Sequence, residues 1–145
     1  MAAEYDLATF ERDFAEALEL PAASRWSLER DVDVPLQAIC TMHPRSAPHE
    51  FYRVRLRWTD YTAPFSIKFL SLETGADSDQ HAWPNMDGAN PGGFFLCAPF
   101  SKEGNDHHKE WESSPSIRYR TPEQPLVFAL LQLQFLLDNK YRGRG

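Results

Sequence analysis

The first periodic segment runs from Asp6 to Leu20. Leu7, Phe10, Phe14, Ala17 and Leu18 recur at helical spacing, with Glu11, Arg12, Asp13 and Glu16 between them. The pattern predicts a short amphipathic helix closed by Pro21. Period-two patterns follow. In Phe51–Trp58, Tyr52, Val54, Leu56 and Trp58 take one face and Arg53, Arg55 and Arg57 the other. Phe65–Leu72 alternates in the same way, Leu36–Met42 does so with Ile39 blurring the pattern, and Trp26–Val32 is a weaker fourth strand. Short connections such as His43–His49, with two prolines, predict an antiparallel meander, because parallel strands need longer crossovers. Glu73–Gly93 is polar and rich in Gly, Asn, Asp and Pro, and a structureless stretch of that length is expected to be functional or disordered. Phe94-Phe95-Leu96-Cys97 is a brief apolar run, and Ser101–Ser116 is polar again. The last element is a Leu-rich helix. Leu126, Leu130, Leu133 and Leu137 form its stripe, widened by Val127, Leu131 and Phe135. Thr121 as cap, Pro122 at the first position and Gln124 as capping-box partner predict its start. Residues 138–145 read as a frayed basic tail. The fold class expected is α+β: an N-terminal helix, a four-stranded antiparallel meander, a long active-site loop and the Leu-rich C-terminal helix.

At 145 residues the chain suits one domain, spanning 1–145, with room for a full core. An apolar content of 42%, with 13% aromatics, excludes a disordered chain. The net charge of −6 argues against a nucleic-acid partner. Two cysteines, Cys40 and Cys97, are too few for a disulfide framework, and neither belongs to a CxxC motif. No apolar run reaches a membrane span of about 18 residues. The acidic segment Met1–Asp6 lacks the pattern of a secretion signal. A cytoplasmic protein with reduced thiols, no membrane partner and no cofactor is expected.

Cys97 stands between two polar stretches, where a thiolate nucleophile would find access. The alternative is a small buried hydrophobe, the reading that suits Cys40 on its alternating strand. His81, His107 and His108 could join Cys97 in a zinc site, but the ligand spacing of such sites is absent, and solvated loop histidines are expected instead. A Cys–His pair of protease type would need a third, orienting residue. Arg53, Arg55 and Arg57 could bind an anion; the plainer reading is the solvated face of a sheet. An acidic α+β inhibitor of a basic partner is a further option.

The order of these elements resembles the ubiquitin-conjugating enzyme fold. Tyr61-Thr62-Ala63-Pro64-Phe65-Ser66-Ile67-Lys68-Phe69 is similar to that family's Tyr-Pro-Phe segment and the strand after it. Trp83-Pro84-Asn85 resembles its His-Pro-Asn tripeptide, and Cys97 then falls where the active-site cysteine is expected. Trp111-Glu112-Ser113-Ser114-Pro115 resembles its Trp-Ser-Pro stretch, and Thr121–Leu137 its Leu-rich helix. Trp83 replaces the tripeptide's His, with His81 two residues earlier, and extra residues lie at Met86–Gly93 and Lys102–His108. These departures resemble divergent, bacterial-type members.

The resemblance implies a carrier that accepts a ubiquitin-like protein on Cys97 from an activating-type enzyme and passes it to an amine on a protein substrate. It implies oxyanion support from Asn85. Acid/base help or loop support would come from among His81, Glu103, Asp106, His107, His108 and Glu110. A non-catalytic binding module of the same fold is the alternative, and it predicts a fully buried Cys97.

Overall fold

The computed structural model describes residues 3–144. Helix α1 spans Glu4–Leu18, two residues ahead of the expected start. Glu4 and Asp6 occupy its first turn, where carboxylates oppose the positive end of the helix dipole. Phe10, Asp13 and Ala17 form its buried edge. The ring of Pro21 forces Leu20 into an extended conformation, with ψ 145°, and a 3-10 turn over Pro21–Arg25 follows.

Four strands then form one antiparallel sheet in sequence order: β1 (Ser27–Glu29), β2 (Gln37–Met42), β3 (Tyr52–Arg57) and β4 (Ser66–Leu70). Cys40 pairs with Val54, and Val54 with Phe69. Alternation therefore puts Ala38, Cys40, Met42, Tyr52, Val54, Leu56, Ile67 and Phe69 on one buried face. That face shares a single core with Phe10 and Ala17 of α1 and with Leu126, Leu130, Leu133 and Leu137 of the last helix. The arginine face is paired within the protein. Arg53 reaches Glu29 at 3.0 Å, Arg55 reaches Asp77 at 2.9 Å, and Arg57 reaches Gln37 at 2.7 Å.

The polar region after β4 is not a featureless loop. It holds a 3-10 turn at Gln80–Ala82 and a two-stranded hairpin, β5 (Ala89–Asn90) with β6 (Phe95–Leu96). Helix α2 (Lys102–His107) and a 3-10 turn over Lys109–Ser113 come next.

Helix α3 spans Pro125–Asn139, so the capping box expected at Thr121 does not form. Pro125 is the reason. It drives Gln124 out of the helical region, to φ −130° and ψ 84°, and itself fits the first helical position, where an N–H is not needed. Thr121 instead donates its hydroxyl to the Thr62 carbonyl. The orphan amide of Leu126 is satisfied by the Tyr61 hydroxyl at 3.0 Å, which in turn donates to the buried Asp13 carboxylate at 2.6 Å. One phenol thus joins α1, the β3–β4 connection and α3.

Residues 138–144, read from sequence as a frayed tail, are docked. Asp138 and Asn139 close α3, and the Tyr141 hydroxyl meets that of Tyr52 at 2.6 Å. The guanidinium of Arg144 lies 4.5 Å from the centre of the Tyr52 ring. Aromatic and cation–π contacts hold a segment whose basic, glycine-containing composition points to fraying.

Candidate functional site

The site is built on the connection from Trp83 to α2. Trp83 is fully buried and packs on Phe69 of β4, with ring centres 5.0 Å apart. Its indole N–H meets no hydrogen-bond partner among the described residues. Pro84 is buried beside it, and Asn85 emerges with its side chain exposed. Three residues on, Gly88 turns the chain with φ +86°. Its carbonyl accepts the Cys97 amide at 2.7 Å. A side chain at Gly88 would come within 2.7 Å of the Cys97 carbonyl, so only glycine permits this closure. The hairpin tip is held by Lys68, whose ammonium donates to the Phe94 carbonyl at 2.6 Å.

Cys97 follows β6. Leu96 points into the core, whereas Phe95 and Cys97 are partly exposed, as strand alternation requires. Partial burial pushes the Cys97 thiol above the ordinary range, and no neighbouring charge among the described residues offsets it. Cys40 is fully buried on β2, and its thiol is pushed much further up by desolvation.

The loop after Cys97 is organised by Ser101, which sequence reasoning did not select. Its fully buried hydroxyl accepts the Gly104 amide at 3.0 Å, capping α2, and the Ala98 amide at 3.2 Å. It donates back to the Leu96 carbonyl at 2.6 Å. The sequence signal is Ser101 immediately before the short polar helix, with Gly104 three residues on inside it. Gly104 is required because a side chain there would strike the Ala98 backbone at 2.6 Å. The Lys102 amide donates to the Phe65 carbonyl at 2.8 Å, tying the loop to the edge of β4.

The titratable residues singled out from sequence do not converge. Glu103 accepts the Ser66 hydroxyl and, at 3.2 Å, the Ile67 amide, with Lys68 at 4.0 Å. It clamps α2 to β4. Asp106 pairs with Lys102 at 2.8 Å, and that hydrogen bond holds its carboxyl below the usual range. His108 stacks on Trp111 at 4.5 Å, with Nδ1 3.2 Å from Glu110. His107 stacks on Phe95 at 4.6 Å and 13°, beside the strand end that carries Cys97. His81 is exposed, lining a cleft of about 350 Å³ with Phe51, Leu72, Glu73 and Arg144. Among the described residues, no group of three or more His, Cys, Asp or Glu could hold a metal ion. No described helix is long and apolar enough to cross a membrane.

Comparison with protein-family models, curated proteins and solved structures finds no match to this chain.

Proposed function

We propose that this protein carries a ubiquitin-like protein as a thioester on Cys97 and transfers it to an amine, in the manner of the ubiquitin-conjugating enzymes that its sequence resembles. The observation that carries the reading is the state of Cys97. It is a partly exposed thiol at the end of a glycine-closed hairpin that begins just after Trp83-Pro84-Asn85.

In the first step the Cys97 sulfur attacks the thioester carbonyl of the ubiquitin-like protein held on an activating-type enzyme. A new C–S bond forms, the old one breaks, and the departing thiolate takes the proton that Cys97 gave up. Thiol replaces thiol, so a strongly acidic Cys97 is not needed. In the second step an amine attacks the Cys97 thioester, an amide bond forms, and Cys97 leaves as thiolate. Each attack passes through an oxyanion. The exposed amide of Asn85 supplies the donor, worth about 2.7–4 kcal/mol in comparable sites. We assign the attacking amine's proton to His107, since Glu103, Asp106 and His108 are engaged by other partners. Partners of this reading are the ubiquitin-like protein, its activating-type enzyme and a protein substrate, in a cytoplasmic setting that keeps Cys97 reduced.

The test is incubation with ATP, an activating enzyme and candidate ubiquitin-like proteins. The expected product is a covalent adduct cleaved by added thiol, lost in Cys97→Ala and converted to a thiol-resistant ester in Cys97→Ser. An adduct retained in Cys97→Ala overturns the reading. Non-covalent binding without any adduct selects a binding module instead.

A further inference from the structure

Both backbone polar groups of Asn85 are occupied by a segment far along the chain. The Asn85 amide donates to the Gly143 carbonyl at 2.8 Å, and the Asn85 carbonyl accepts the Arg142 amide at 2.8 Å. Pro84 and Arg144 complete this antiparallel bridge. Three side chains anchor it. Tyr141 reaches the Tyr52 hydroxyl at 2.6 Å and Glu50 at 3.1 Å, Arg142 pairs with Asp87 at 2.7 Å, and Arg144 covers the Tyr52 ring. Arg142 therefore grips the Asn85–Gly88 turn twice, through its own amide and through its guanidinium.

We propose that Tyr141–Gly143 is a positioning strap for Asn85. It fixes the backbone from which the Asn85 side-chain amide projects, and so sets the aim of that side-chain donor relative to the hairpin ending at Cys97. The chemical half of the inference rests on the function proposed above. An oxyanion donor works only when preorganised, and a misplacement of about 1 Å can cost on the order of a hundredfold in rate. Without the strap, Asn85 is an exposed loop residue with neither backbone group bonded to another segment.

Gly143 is the place to test this. It adopts φ +110°, which an L side chain rarely accepts, and none of the described residues lies within 4 Å of where a Cβ would stand. Gly143→Ala therefore strains the strap without a clash in the core. Arg142→Ala is the companion variant, removing the ion pair while keeping the amide. Amide hydrogen exchange gives the readout that needs no activity. In the wild type the Asn85 amide is protected; in Gly143→Ala it exchanges faster by about tenfold or more, while β2 and β3 amides are unchanged. Arg142→Ala shows a smaller change. An Asn85 amide that exchanges equally fast in wild type and Gly143→Ala overturns the strap.

For the chemistry, Cys97 is acylated with the small thioester acetyl-Gly-Gly-S-benzyl, and its discharge to free lysine is timed. Gly143→Ala is expected to slow discharge by about tenfold. Asn85→Ala is expected to slow it as well, and Gly143→Ala added to Asn85→Ala to slow it no further, because both act through the Asn85 side-chain amide. Unchanged discharge in Gly143→Ala, or the same additional loss in the Asn85→Ala background, overturns the positioning role. Failure of the wild type to take the acyl group at Cys97 counts against the proposed function instead, and hydrogen exchange still decides whether the strap holds Asn85.

Discussion

The Cys97 amide donates to the Gly88 carbonyl at 2.7 Å, and the Cys97 carbonyl lies 2.7 Å from where a Gly88 side chain would sit. The hairpin is thus closed at its base by a residue that must be glycine twice over, for its φ of +86° and for the close approach. Gly88→Ala is expected to cost about 2–3 kcal/mol, combining left-handed strain with displacement of the Cys97 backbone. Urea denaturation should show a lower midpoint at unchanged slope. Thiol labelling at Cys97 should accelerate in the same variant.

The two thiols should separate cleanly by reactivity. Cys97 is partly exposed and Cys40 is sealed in the sheet core. Intact-mass analysis of the folded protein is expected to show one fast label on Cys97, with Cys40 reacting only through unfolding. Burial raises the Cys97 pKa, so the thiolate is a minor form at neutral pH. The labelling rate should therefore climb about tenfold per pH unit between roughly pH 7 and 8.5 without a plateau. A plateau in that range would reveal an activated thiolate.

Ser101→Ala should damage the Cys97 loop more than an ordinary cap removal. The hydroxyl caps α2 and serves the Ala98 amide and the Leu96 carbonyl in a fully buried position. Losing a cap costs about 1 kcal/mol, and stranding buried backbone groups adds about 1–2 kcal/mol. A total near 2–3 kcal/mol is expected by chemical denaturation, with faster exchange at the Ala98 and Gly104 amides. A loss under about 0.5 kcal/mol would show that water takes over these bonds.

The parts of the fold visible in the sequence are those where a side-chain pattern reports burial. Tyr52–Arg57 alternates cleanly because one face meets the core and the other carries the arginines. The Leu stripe of α3 marks its burial in the same way, but its start was hidden: two prolines compete for the first helical position, and the cap comes from Tyr61, more than sixty residues away. The hairpin inside the polar loop leaves no sequence pattern, because two-residue strands are too short to alternate. At the site, the position of Cys97 after an apolar run was legible. The clamp made by Glu103 was not, since a carboxylate that binds Ser66 and Ile67 across the fold looks in sequence like any loop acid. The strap on Asn85 runs through backbone groups, which every residue carries, and so leaves no signature beyond Gly143.

Asp138 pins the end of α3 and gives the fold an acid-sensitive contact. Its carboxylate, 5% exposed, receives Arg25 in bidentate fashion at 2.8 Å and 2.8 Å, the Arg45 amide at 2.9 Å and Gln134 at 2.9 Å. Burial opposes the charged form, but these hydrogen bonds outweigh it and hold the carboxyl below the usual range. A folded pKa below the unfolded value of about 3.9 means the unfolded chain binds the proton more tightly. The contribution is therefore complete above about pH 5 and disappears as the pH falls through the folded pKa. Asp138→Asn keeps the shape but removes the charge facing Arg25. It is expected to cost about 2–3 kcal/mol at pH 7 and progressively less toward pH 3, giving a flatter acid limb than the wild type. Denaturation midpoints across that range check this. An equal loss at pH 3 and pH 7 would mean that packing, not the ionised carboxylate, holds the helix end.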